Sequence, residues 1–424
     1  MGYKYYNRTN YQFRSLVFTS LAHFTNDGNF LLFPTLITYY KFIPGVSITF
    51  LGIMAIVYNL LSGLLGTPIG RLADKINRDS FLIFIGIASE GISVLVFALA
   101  FLYMNYASYI IFLGSVLLGF GQAFYHPIGA SILSFTYGKE KAPGAMGING
   151  SFGSLGRAAL PSIIVYSMAF LNNFNGLLLI FAYTMASAFI ILSGLSFFNR
   201  SKYIEAETYN DKFNDNKIKS APSIKLYYRF LLVLVALVFI RSMFLTGTVT
   251  FVPDYLDDIF KSKTLMGDIL TLSFLSAVFG QPYFGSMVKK YGGKFTILIT
   301  SLISTVFFAL FLIYDNIIYI TLVYLVYVFA AFSGFPVLLG YVGQVIPREF
   351  STQSNALVWS FGNIVGGSAG IALITGFNAL KYPLHFSLSI MLIFAVVSLV
   401  MVPLLPSKNK GEKVVKKDKE PGKV

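Results

Sequence analysis

Twelve stretches of this sequence run for roughly twenty residues or more with almost no charge, and that pattern leaves few folds open. They lie near residues 14–39, 48–70, 80–104, 108–135, 144–170 and 174–198, then near 229–252, 265–288, 294–314, 317–345, 352–377 and 382–405. A bilayer core about 30 Å thick takes roughly 20 apolar residues per helical span, because every backbone N–H and C=O inside it must be satisfied within the segment. Hydrophobic residues fill 56% of the 424 positions and charged residues 12%, whereas soluble globular chains carry about 25% charge. The pattern predicts an all-α membrane protein of twelve transmembrane helices in two pseudo-symmetric six-helix bundles, residues 1–198 and 229–405. Residues 199–228, polar and rich in both charge signs, read as a linker, and residues 406–424 as a basic tail. The first apolar run is too long for a removable signal peptide and lacks a small-residue cleavage site, so it is expected to remain as a helix.

There is no cysteine, which excludes disulfides, thiol catalysis and cysteine-held metals. The three histidines, His23, His126 and His385, are far apart with no metal-ligand spacing, and no metal or cofactor is expected. A formal charge of +14 would favour nucleic acid in a soluble protein, but here its placement reads as topology. Of the 32 Lys and Arg, 26 fall on the side that holds both termini and the linker. Lys41, Lys261, Lys263 and Lys381 fall on the other side, and Arg157 and Arg241 inside spans. Positive residues concentrate on the cytoplasmic face, so both termini are expected in the cytoplasm, in a multi-pass protein of the cell membrane. The expected partners are the lipid bilayer, a small-molecule substrate and protons, with no nucleic acid.

The halves echo one another. Ser151-Phe152-Gly153 returns as Ser360-Phe361-Gly362 at an offset of 209, which Pro127 and Pro336 share. Gly28 and Phe33-Pro34 align with Gly247 and Val252-Pro253, and Gly70 with Gly285. Internal duplication is expected of transporter folds, whose substrate sites lie near the midplane between repeats.

The loop between the second and third spans reads Gly66-Thr67-Pro68-Ile69-Gly70-Arg71-Leu72-Ala73-Asp74-Lys75-Ile76-Asn77-Arg78. It resembles the signature loop of the major facilitator superfamily, in which a glycine is followed by x-Leu-Ala-Asp-Lys/Arg-x-Gly-Arg. Asn77 stands where that family usually has glycine, a substitution that asparagine's tolerance of left-handed backbone allows. The second copy runs Gly285 to Lys294 and has Lys289 in place of the aspartate. The resemblance implies the major facilitator fold, a monomer, and a conformational latch formed by Gly70, Arg71, Asp74 and Arg78 against the start of the eleventh helix, after Pro347. Solvation of a short loop by these charges is the simpler alternative. Ala22-His23-Phe24-Thr25-Asn26-Asp27, followed by Phe33-Pro34, and Phe124-Tyr125-His126-Pro127 further resemble the fosmidomycin-resistance branch. Its members carry His-Phe-x-x-Asp in the first helix and Phe/Tyr-His-Pro in the fourth. Ser115 occupies the place nearest the arginine of the drug/proton antiporter signature.

Asp27, Glu90, Arg157 and Arg241 lie about 15 to 20 Å inside their spans at 1.5 Å per residue. A charge at that depth costs about 2.5 to 3.5 kcal/mol, so these groups should face a polar cavity and pair with one another. Structural ion pairs and binding of substrate or protons both explain them. His23 and Asp27, four residues apart, share a helical face and form a candidate proton site, although His23 can equally cap a cavity wall. His126 and Gln122 share a face of the fourth helix, where Pro127 frees a carbonyl that His126 can satisfy instead. Asn149 and Arg157 share a face of the fifth, within a glycine stripe from Gly144 to Gly156 suited to close helix contact.

These readings predict a secondary active transporter of a small organic solute, anionic or amphipathic, moved by alternating access with proton coupling. Two arginines at mid-depth favour an acidic cargo, and the branch resemblance implies efflux. Proton-coupled uptake of an organic acid or metabolite is the nearest alternative. An ion channel would call for a filter segment, and a membrane enzyme for a nucleophile, metal or phosphate-loop pattern; none is seen.

Overall fold

The computed structural model describes residues 8–201, 227–346 and 348–406. The seven N-terminal residues, most of the linker and the basic tail beyond Pro406 lie outside the described residues. Every regular element described is helical. The first half comprises α1 (Arg8–Gly28), a 3-10 turn (Asn29–Leu31), α2 (Leu32–Tyr40), α3 (Ile48–Leu64), α4 (Gly66–Ile76), α5 (Asp79–Leu99) and a long run α6 (Ala107–Leu195). The second half comprises α7 (Tyr228–Phe260), α8 (Lys263–Tyr291), α9 (Gly293–Phe311), α10 (Ile317–Ala331), α11 (Gly334–Val345), α12 (Arg348–Leu357), a π-helical stretch (Val358–Val365), α13 (Gly366–Ala379) and α14 (Leu384–Met401).

Among the described residues, 9 helices are long and apolar enough to cross a membrane. The difference from the expected twelve has local causes. Polar side chains such as His23, Asn26, Asp27 and Asn29 lower the hydropathy of the first helix. The tenth is interrupted between α10 and α11. The run α6 changes direction at Gly138 (φ 71°, ψ 170°) and Asn172 (φ 70°, ψ 168°), which part the fourth, fifth and sixth spans. Asn172 Oδ1 then accepts from Asn175 N at 3.0 Å and caps the sixth.

The backbone reproduces the internal repeat. Asn77 closes the signature loop at φ 49°, and Gly292, 215 residues later, closes the second copy at φ 89°. The left-handed turn expected of Asn77 is therefore present. Asn172 has its counterpart 209 residues on in Lys381, at φ 63°. Helix contacts recur as well. A Cβ on Gly156 would meet the carbonyl of Phe24, and one on Gly370 the carbonyl of Met243. Hydrocarbon offers no hydrophobic drive between helices, so such small-residue contacts, where backbones nearly touch, hold them together.

The described residues fall into two compact units, one within Met1–Ile218, Val249–Leu275 and Asn378–Lys381, the other within Lys219–Thr248, Ser276–Phe377 and Tyr382–Val424. The core of the first packs Ile83, Ile87, Phe124, Tyr125, Ile128 and Ile191; that of the second packs Leu234, Leu237, Val238, Phe284, Tyr341 and Val342. Phe170, Phe279, Ile318 and Leu322 are largely exposed, as lipid-facing side chains are.

Within the first unit the fifth and eighth helices meet: Ser162 Oγ and Tyr166 OH donate to Asp268 at 3.0 and 2.9 Å. The same unit holds an ion cluster that sequence reading missed, because its members are some two hundred residues apart. Lys41 Nζ lies 2.6 Å from Asp254, 2.8 Å from Asp258 and 3.6 Å from Asp257, which Lys263 also reaches at 3.0 Å. Burial disfavours the Lys41 ammonium, but the carboxylates of Asp254 and Asp258 outweigh it and raise its pKa. Lys41→Met is expected to lower stability by on the order of 3 kcal/mol, since Asp254 is left buried without its closest cation. Because the folded pKa is raised, that contribution is complete below the ordinary value of 10.5 and is lost as pH climbs through the higher folded value. Thermal unfolding against pH should show wild type and variant converging only in strong alkali.

Candidate functional site

The first helix places His23 and Asp27 one turn apart, and the fourth and fifth bring His126 and Arg157 to the same carboxylate. Asp27 Oδ2 lies 3.2 Å from His23 Nε2 and 3.1 Å from Arg157 Nη1, while Oδ1 lies 3.4 Å from His126 Nε2. Asn26 Nδ2 donates to Oδ1 at 3.0 Å. Histidines 103 residues apart in sequence thus meet edge to face, with ring centroids 5.4 Å apart. Asp27 is 5% exposed, so this carboxylate is held by side chains rather than by solvent. Gly153 makes room for the imidazole, since a Cβ there would lie 2.5 Å from His23 Cδ2.

Asn149 fixes the state of His23. Thr19 Oγ1 spends its proton on the Ser15 carbonyl at 2.6 Å, so toward Asn149 it acts as an acceptor. The Asn149 amide nitrogen therefore faces Thr19 (3.3 Å) and Ser20 (3.4 Å), and its oxygen faces the other way. That oxygen accepts from Tyr125 OH at 2.8 Å and sits 2.8 Å from His23 Nδ1, which must donate. A neutral imidazole with its proton on Nδ1 has a bare lone pair on Nε2. Here that lone pair points at a carboxylate oxygen, a repulsive contact unless a proton lies between them. Tyr125, a central member of this network, was part of the recognised motif but not of the expected site; only the fold shows its hydroxyl reaching Asn149.

The ligating atoms of His23, Asp27 and His126 all lie within 4.8 Å of one another, a spacing that a metal ion can use. Arg157 lies on the same carboxylate, so a metal ion there would have to share Asp27 with a guanidinium. Arg157 Nη2 also donates to Ser154 Oγ at 3.3 Å, while its Nε and the Nε2 of Gln122, one turn before His126, are buried donors without a partner.

The other mid-depth charges are placed differently. Glu90, fully buried, accepts from Asn29 Nδ2 at 2.7 Å. Arg241, in the second unit, donates to the Ala331 carbonyl at 3.3 Å, close to Gly334. The expected balance of two acids by two arginines thus reduces, within these partners, to the Asp27–Arg157 pair.

In the signature loop, Arg71 and Arg78 are exposed and Gly70 is half-buried beside Pro127. Asp74 pairs with Arg200, which also binds Asp79 through a second nitrogen. Arg200 is buried over Phe135, 5.5 Å from its ring centroid. Asn77 adds bonds to Asn199 (3.0 Å) and Ser201 (2.8 Å). The opening of the linker is therefore stitched to the loop, a role that its polar composition alone could not reveal.

A sequence profile of the Major Facilitator Superfamily matches residues 18–261 and, again, 234–423. The chain belongs to the major facilitator superfamily. Solved structures of similar fold include a D-xylose-proton symporter, at TM-score 0.77 and 15% identity over 95% of this chain and 99% of that one. The peptide transporter POT in complex with sulfate gives 0.71 at 15% identity, over 95% of both chains. A bacterial homolog of the human lysosomal transporter Spinster, inward-facing and unoccupied, gives 0.67 at 14% identity over 100% of both. Such identities establish a common fold alone. No curated protein matches the sequence. As a major facilitator transporter the chain is a multi-pass membrane protein of the secondary transporter class.

Proposed function

We propose that this major facilitator protein is a proton-coupled exporter of small organic solutes that carry an acidic group, in the manner of the fosmidomycin-resistance branch its motifs resemble. The lone-pair conflict between His23 Nε2 and Asp27 Oδ2 carries the reading: the pair is complete only with a shared proton, and Arg157 competes for the same carboxylate. An acidic cargo drawn to Arg157, His126 and Gln122 weakens the hold of Arg157 on Asp27 and changes the affinity of the pair for its proton. That exchange couples the two fluxes during alternating access. The excess of Lys and Arg toward the termini supports a cytoplasmic location for both, and the loop of Gly70, Arg71, Asp74 and Arg78 serves as a conformational latch with Arg200 steadying its aspartate.

The test is reconstitution in proteoliposomes with organic anions preselected by thermal shift. Flux should saturate and follow an imposed pH gradient, and Asp27→Asn should cut gradient-driven flux at least tenfold without loss of folded protein. Undiminished flux in that variant across pH, or single-channel currents in the wild type, would sink the proposal.

A further inference from the structure

Just beyond Asp27 the first helix leaves the α-helical path at Gly28, passes through the 3-10 turn Asn29–Leu31 and resumes at Leu32. The tighter turn shifts the following side chains out of the α-helical register. Asn29, the first residue of that turn, reaches the third span, where its Nδ2 donates to Glu90 Oε2 at 2.7 Å. Both residues are fully buried. Yet Glu90 Oε1 and Asn29 Oδ1 are each acceptors without a donor, and no cationic side chain among the described residues pairs with Glu90. An ionised carboxylate only accepts, so it cannot relieve either oxygen. A single proton relieves both.

We propose that Glu90 and Asn29 form a second proton-binding site, in which a neutral Glu90 closes a cyclic acid–amide pair: Asn29 Nδ2–H donates to Oε2, and Glu90 Oε1–H donates to Asn29 Oδ1. On loading, hydronium gives its proton to Oε1, an O–H bond forms and water is left; release runs the same step backwards to water. Asn29 is the positioning residue. Asp27 on the first helix and Tyr183 on the sixth are the titratable groups that act on Glu90 through space. Tyr183 is engaged by Thr25, with their hydroxyls 3.0 Å apart. The fourth helix faces Glu90 with the backbone of Gly121, where a Cβ would lie 2.8 Å from Glu90 Cγ. Glu90 is fully buried, so bulk solvent does not supply the missing donors. Because the pair joins the first helix to the third span, movement of the first helix opens or closes it. Its part in coupling rests on the proton-coupled reading above; its protonation does not.

Infrared difference spectroscopy on the full chain in liposomes tests this. At neutral pH the wild type should show a protonated-carboxyl C=O band that shifts in D2O and is absent from Glu90→Gln. Asn29→Ala, which removes the donor to Oε2, should move that band to higher frequency, and Asp27→Asn should leave it in place. An unchanged band in Glu90→Gln, or none in the wild type, overturns the site. Glu90→Gln keeps the shape of the neutral acid, so it should fold while pH-driven flux falls at least tenfold. Undiminished pH-driven flux overturns its place in coupling. If instead Asp27→Asn transports normally while the Glu90 band behaves as described, the Asp27 reading fails and the Glu90 site stands.

Discussion

Arg157→Ala is expected to destabilise the protein by about 3 kcal/mol, the lower part of the range for removing one partner of a buried ion pair. The cost arises because Asp27, 5% exposed, loses the guanidinium at 3.1 Å and cannot recover it from solvent. His23 and His126 still face the carboxylate, which keeps the loss from being larger. Adding Asp27→Asn should restore much of the stability, since the neutral amide no longer calls for a cation, although transport stays lost. Thermal unfolding of the two single variants and the double variant completes the cycle. Strict additivity would show that the pair carries no coupling energy. Arg157→Lys should fall between, because an ammonium lacks the fork that spans Asp27 and Ser154.

Gly156→Ala should do comparable damage for a different reason. Its Cβ would press on the Phe24 carbonyl and lie 2.8 Å from the carbonyl carbon and 3.0 Å from Cα. Backbone atoms have no rotamer by which to retreat, so the first and fifth helices must part. Overpacking costs typically about 1–3 kcal/mol, and this case belongs at the upper end or beyond. Gly144→Ala in the same stripe meets nothing within 4 Å and should be neutral or slightly stabilising, given alanine's better helix propensity. Yield of monodisperse protein and its thermal midpoint separate the two. Equal behaviour would show that the stripe works by composition rather than by this crossing.

What the sequence made legible follows from physics that acts along the chain. Hydropathy places the spans, the left-handed tolerance of asparagine explains Asn77, and helical spacing pairs His23 with Asp27. Arg157 was recognisable as a costly mid-depth charge, but its partner depended on how the first and fifth helices cross. Other features lay beyond such reasoning because they arise between distant segments. Nothing in the local pattern announces that a 3-10 turn will aim Asn29 at Glu90. Arg200, one of the charges of a polar linker, is found buried against Asp74 and Asp79. Lys41 counted correctly as a charge between spans, but its carboxylate partners lie more than two hundred residues away.

Each half holds its helices together by a glycine pressed on a neighbouring backbone, but the side chains beside those contacts differ. Gly156 against Phe24 and Gly370 against Met243 are close approaches of the same kind, but the alignment of Gly28 with Gly247 sets Ser242 and Thr246 where the first half has His23 and Asp27. The repeated scaffold therefore carries the buried ionisable pair in one half only. Close helix packing can thus be kept in both halves while the buried side chains beside it differ, which leaves each half free to diverge in chemistry without losing its scaffold.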